Sequence, residues 1–177
     1  MPNGPAHPPR MWERFAALSV LAAALCWAAG ASAEVPFTSP EGGYSVAFPA
    51  EPRETVETRP DGKIFSYMVR QNDAAYGTSH VEYKSDLDVE QELQANAVNF
   101  ADALKAPVTS RRRTQVTSAS GEKLPELEFA YESDKLAGKG FVIVSGRRSI
   151  LVIAFAFKPN DRRAAIDQFL QSFKLTR

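Results

Sequence analysis

The strongest constraint on this chain is the run Ile150-Leu151-Val152-Ile153-Ala154-Phe155-Ala156-Phe157, which contains no polar side chain and is stopped by Pro159. Its length is that of a strand, and its β-branched and aromatic content favours a strand over a helix. Successive strand side chains point to opposite faces, so an unbroken apolar run has to be covered on both. A second run, Phe141-Val142-Ile143-Val144, precedes it across the polar turn Ser145-Gly146-Arg147-Arg148-Ser149. The pair predicts two adjacent strands, dry on both sides, inside a sheet that carries a layer on each face.

Two amphipathic segments can supply the layers. After Asp88, the residues Val89, Leu93, Ala97, Phe100 and Leu104 share one helical face, and Pro107 ends the segment. Asp86 or Asp88 is placed to cap that helix, where a carboxylate accepts bonds from the free first-turn amides. Near the end of the chain Ala165, Ile166, Phe169, Leu170 and Phe173 form a second stripe, with Asn160 or Asp161 as its expected cap. Outside them the pattern has period two. Phe37 to Ser39 leads into the turn Pro40-Glu41-Gly42-Gly43, and Tyr44, Val46 and Phe48 alternate as a half-buried strand. Arg53 to Thr58 and Ile64 to Gln71 are joined by a Pro60-Asp61-Gly62 turn and predict a hairpin. Ala75 to Tyr83, Val108 to Thr117 and Leu124 to Glu132 read as further strands. In the last of these Leu127, Phe129 and Tyr131 share one face while Glu126, Glu128 and Glu132 share the other, which makes that second face wet. The fold expected is α+β, an antiparallel β-sheet flanked by helices in an α/β/α sandwich.

The first residues have a different organisation. Arg10 and Arg14 flank an apolar run from Phe15 to about Ala29, and Ala31-Ser32-Ala33 follows, which is the layout of a secretory signal peptide. The run is shorter than the roughly 20 residues of a spanning helix. Cleavage is expected between Ala33 and Glu34, giving a leader over 1–33 and a single domain over 34–177, periplasmic or secreted, that meets a membrane only through the leader. Cys26 is not expected to be lipidated, because Leu25 stands where a small residue belongs. Loss of the leader removes Cys26, the one cysteine, and His7, one of two histidines. The domain then has no disulfide and no thiolate metal site, so its stability must come from its core. The chain balances 21 Lys and Arg against 21 Asp and Glu, and the leader holds Arg10, Arg14 and Glu13, which leaves the remainder one charge negative. No field of that size steers nucleic acid, and no such partner is expected.

The stretch Phe37-Thr38-Ser39-Pro40-Glu41-Gly42-Gly43-Tyr44-Ser45-Val46-Ala47-Phe48-Pro49 resembles the opening of PsbP-like secreted bacterial domains. Phe169-Leu170-Gln171-Ser172-Phe173-Lys174 resembles their end, and the turn Gly146-Arg147-Arg148 before a long apolar strand also fits. The resemblance implies an antiparallel sheet between helices and a platform for binding or assembly. It carries over no active-site motif and no cofactor.

Few residues offer chemistry. His80 is the imidazole left after processing, and Ser79 beside it must face the other way in a strand, so the two cannot form a catalytic pair, although a distant serine could. One histidine excludes an imidazole-rich metal centre. Glu126 and Glu128 share a strand face, as a glycosidase pair would and as any solvated strand face does. Asp86 and Asp88 lack the ligand spacing of a calcium loop and read as caps. Arg111, Arg112 and Arg113 form a candidate anion patch, although strand alternation divides them between faces. Gly138-Lys139-Gly140 lacks phosphate-loop spacing and reads as a flexible strand entry. Tyr67, Tyr76, Tyr83 and Tyr131 are candidate lining of a cleft, set against plain half-buried sheet residues. The leading expectation is a non-enzymatic binding or accessory domain with no catalytic, metal or cofactor residues, whose partner is an envelope protein or a small apolar ligand. Two alternatives stay open: an envelope hydrolase using His80 or a carboxylate pair, and a structural subunit of an envelope complex.

Overall fold

The computed structural model describes residues 34–177, so the leader and the expected cut after Ala33 lie outside the described residues. The described chain runs β1 (Val35–Ser39), β2 (Tyr44–Phe48), β3 (Arg53–Thr58), β4 (Gly62–Arg70), β5 (Ala74–Tyr83), α1 (Val89–Ala103), β6 (Val108–Thr117), β7 (Lys123–Glu132), β8 (Leu136–Ser145), β9 (Arg148–Phe157), α2 (Arg163–Gln171) and β10 (Lys174–Leu175). Seven of the strands form one antiparallel sheet in the order β3-β4-β5-β9-β8-β7-β6. β9, the apolar run on which the sequence reading turns, is its middle strand. Val152 to Ala156 are all buried. Ile150, Val152, Ala154 and Ala156 enter one core while Ile153 and Phe155 enter the other. The fold is α+β.

On one face α1 sets Leu93, Ala97 and Ala101 against Leu127, Phe129, Tyr131, Val142 and Phe155. Asp88 caps it, its carboxylate accepting the Gln91 N–H at 3.0 Å. Asp88→Ala is expected to lower stability by about 1 kcal/mol, read from the urea midpoint. On the other face α2 sets Ile166 and Phe169 on Phe48, Tyr76 and Val152. The Phe169 ring lies 5.2 Å from that of Phe48 and 5.3 Å from that of Tyr76.

That second layer is not helix alone. β1, β2 and β10 form a separate three-stranded antiparallel sheet beside α2, whereas the sequence pattern showed only the middle strand of the three. β10 has two residues, too few for a period, and β1 contains Pro36, which a strand tolerates at an edge, where its missing N–H is not needed. The cap of α2 also differs from expectation. Arg162 occupies the N-cap without a side-chain hydrogen bond. Asp161 instead accepts the Arg163 N–H at 3.1 Å, and Asn160 donates to the Phe157 carbonyl. Gly138-Lys139-Gly140 is not a loose strand entry but lies inside β8. A Cβ on Gly138 would come within 2.6 Å of the Tyr131 ring and of the Ala154 carbonyl, so glycine there lets Tyr131 lie across the strand and donate to that carbonyl at 3.2 Å.

Coverage of the sheet is incomplete, for a geometric reason. A helix is about 10 Å across and strands sit about 4.8 Å apart, so one helix shields only part of a seven-stranded sheet. α1 packs over β6 to β9, and α2 over β8, β9 and β2. The two covers are therefore offset. β3 to β5 extend beyond α1 on its side, where Met68 is 38% exposed. β6 and β7 extend beyond α2 on the other.

Candidate functional site

The uncovered part of β6, β7 and β8 beside α2 forms a groove of about 760 Å³. Val116, Ala130 and Phe141 supply apolar floor, while Leu170 of α2 and Phe173 just after it supply an apolar wall. The rings of Phe141 and Phe173 meet edge to face at 5.2 Å. The polar lining includes Arg112, Glu126, Glu128, Lys139 and Asp167.

Strand register places each of these. Arg112 stands directly opposite Glu128, and Thr114 opposite Glu126, in the β6–β7 pairing. Cross-strand neighbours on one face lie close enough to bond. Arg112 donates through Nε and Nη2 to Glu128 Oε2 at 2.9 and 2.5 Å. The Thr114 hydroxyl donates to Glu126 Oε2 at 2.8 Å. Lys139, opposite Ala130 on β8, reaches Asp167 of α2 at 2.8 Å. Both ion pairs are substantially exposed and each adds at most about 1 kcal/mol. Glu126 enters no ion pair among the described residues. Burial pushes its carboxyl above the usual carboxylate range; the Thr114 hydroxyl opposes that rise, the charge of Glu128 adds to it, and Arg112 opposes it.

The wet face read from β7 in the sequence is thus the groove itself at Glu126 and Glu128, while Glu132 lies further along and pairs with Lys158 at 2.6 Å. The arginine run divides as alternation requires. Arg112 faces the groove, while Arg111 and Arg113 stand opposite Phe129 and Leu127 and turn to the α1 side. Arg113 there pairs with Glu90 of α1 at 3.2 Å. The three charges do not gather into one anion patch, because strand geometry splits them and two carboxylates neutralise two of them.

The four tyrosines do not converge on a cleft. Tyr67 and Tyr76 are buried in the core under α2 and the small sheet, and Tyr131 is buried in the core under α1. Tyr83 is half-buried and donates to Glu92 of α1 at 2.8 Å. None of the four lines the groove. Their rings fill core volume, while the hydroxyls of Tyr67 and Tyr131 donate to Glu54 and to the Ala154 carbonyl, each at 3.2 Å. The groove itself was not foreseen, and the signal that points to it is the row of glutamates on β7, which reads in sequence as a wet strand face.

His80 is fully buried, on the β5 face opposite that of Ser79. Its ring stacks on Phe65 at 4.7 Å and meets the edge of Tyr44 at 5.9 Å. Among the described residues neither ring nitrogen has a hydrogen-bond partner. Burial, with the Arg148 guanidinium adding to it, pushes the imidazole down to about 4. Asp88 is occupied as a helix cap, and no group of three or more His, Cys, Asp or Glu among the described residues is placed to hold a metal ion. No described helix is long and apolar enough to cross a membrane. No protein-family model matches the chain and no curated protein matches it, so the functional reading rests on the groove and not on a relative.

Proposed function

We propose that this chain is a non-enzymatic, exported binding domain whose site is the groove between α2 and the β6–β8 face, and that its partner is a small ligand with an apolar body. The volume of about 760 Å³ carries the reading, because it falls within the range of about 300–1,000 Å³ typical of small-molecule sites. An apolar floor with a few converging polar groups is the usual composition of such a site. The basic flank, apolar run and Ala31-Ser32-Ala33 of the leader support a periplasmic or secreted location. The order of turns and strands supports a PsbP-like α/β/α sandwich, and the resemblance implies a platform for binding or assembly.

Ala130 lies half-buried on the groove floor, so Ala130→Trp places an indole where a ligand would sit. The neutral apolar dye N-phenyl-1-naphthylamine is expected to brighten on the wild type, and Ala130→Trp to weaken that binding by about tenfold or more with its melting temperature kept. Equal binding by the two folded proteins would move the site elsewhere. Turnover of a chromogenic glycoside, abolished by Glu126→Gln, would replace this reading with the carboxylate-pair hydrolase.

A further inference from the structure

The groove's charges are not balanced. Arg112 is engaged by Glu128 and Lys139 by Asp167, so these four groups cancel within the wall. Arg111 contributes to the wall, but its place opposite Phe129 turns its side chain to the far face. Glu126 is left as the one groove carboxylate without a cation among the described residues, and its single hydrogen bond comes from the Thr114 hydroxyl on Oε2. A half-buried carboxylate with one neutral donor has spare acceptor capacity, since an ionised carboxylate offers about four lone-pair sites. The rings of Phe141 and Phe173, packed edge to face, supply apolar surface in the same groove for the rest of a ligand.

Resting on the binding reading above, we propose that the groove selects ligands that join an apolar body to one protonated amine, with the ammonium seated on Glu126 and the apolar part on Phe141, Leu170 and Phe173. The charge defines the ligand class. A carboxylate ligand would meet Glu126 as a like charge, and the two cations that could receive it are already held by Glu128 and Asp167. A neutral alcohol gains the apolar contacts but only a neutral hydrogen bond. An ammonium gains a charge-assisted bond in a partly dehydrated site, the stronger kind. The rise of the Glu126 carboxyl fits a site awaiting a cation, because ligand binding would favour its ionised form.

The test uses three probes with one apolar body: 4-phenylbutylamine, 4-phenylbutanol and 4-phenylbutyrate, titrated into the 15N-labelled protein at pH 7 with amide shifts followed at Ala130, Phe141, Leu170 and Phe173. The amine is expected to bind about tenfold more tightly than the alcohol, and the carboxylate most weakly. Glu126→Gln is expected to bring the amine to the affinity of the alcohol and to leave the alcohol unchanged. Equal affinities in the wild type, or a preference for the amine that survives Glu126→Gln, would overturn the amine assignment while leaving the groove as a binding site. Shifts elsewhere, or none with any probe, would overturn both.

Discussion

Phe155→Ala is expected to destabilise the protein by about 3–5 kcal/mol, the usual cost of emptying a buried aromatic site. Phe155 is 6% exposed on the central strand and lies between Ala75 of β5 and Gly138 of β8 in the ladder. Both neighbours are small, so the ring fills the space over them together with Tyr131, which lies across Gly138, and Phe157 meets it edge to face at 5.4 Å. Backbone hydrogen bonds hold the neighbouring strands at a fixed spacing, so the site cannot collapse into the void. The loss would take up much of a domain's total stability of about 5–15 kcal/mol. Urea unfolding should show a large fall in midpoint with the slope preserved. Val56→Ala, at a residue 47% exposed on the edge strand β3, should change stability by no more than about 0.5 kcal/mol. Similar midpoints for the two variants would remove β9 from the core.

The second large effect depends on pH. His80 is held neutral in the folded state down to about pH 4, whereas an unfolded chain protonates histidine near its ordinary value of about 6.5. Between those values the unfolded state binds a proton that the folded state refuses, so stability present above about pH 6.5 is lost as pH falls toward 4. At pH 5 the loss amounts to about 2 kcal/mol. Glu82 and Glu41 favour protonation, but burial and the Arg148 and Arg177 charges outweigh them. Arg148 of β9 opposes protonation, and its ion pair with Glu82 of β5 leaves only a partly spent carboxylate. Glu41 and Arg177 act from the rim with opposite signs. Phe65 and Tyr44 cover the ring with aromatic surface. His80→Leu keeps a similar volume and has nothing to protonate, so its unfolding midpoint should depend less on pH between 7 and 5 than that of the wild type. At pH 7 it should be at least as stable, because it removes polar atoms that have no partner. The pH dependence of the difference between the proteins isolates His80, since shared carboxylates such as Glu126 cancel. Parallel curves would show that the imidazole reaches water or a partner.

How far the sequence could be read depended on how local each signal was. β6 begins and ends where the sequence placed it, and Asp88 caps α1, because a strand between Pro107 and a polar turn and a carboxylate before a helical stripe are decided by neighbouring residues. β8 runs from Leu136 although only Phe141 to Val144 were legible, because Gly138 and Gly140 read as a break. Those glycines are occupied from above by Tyr131 and Phe129, an arrangement that exists only once β7 lies beside β8.

The amino-acid sequence by itself determined that strands β8 and β9 would be dry on both faces, that two helices would cover them, and that β7 would carry a row of glutamates on its second face. Periodicity and burial preference suffice for that, because they act within one strand or one helix turn. Tertiary structure alone decided which residues meet. It joined β1, β2 and β10 across most of the chain, enclosed His80 without a partner, and split the arginines between two faces. It also made a groove out of that row of glutamates, since the groove exists only because α2 is too narrow to shelter β6 and β7, and no stretch of sequence records the width of a helix lying on its neighbour.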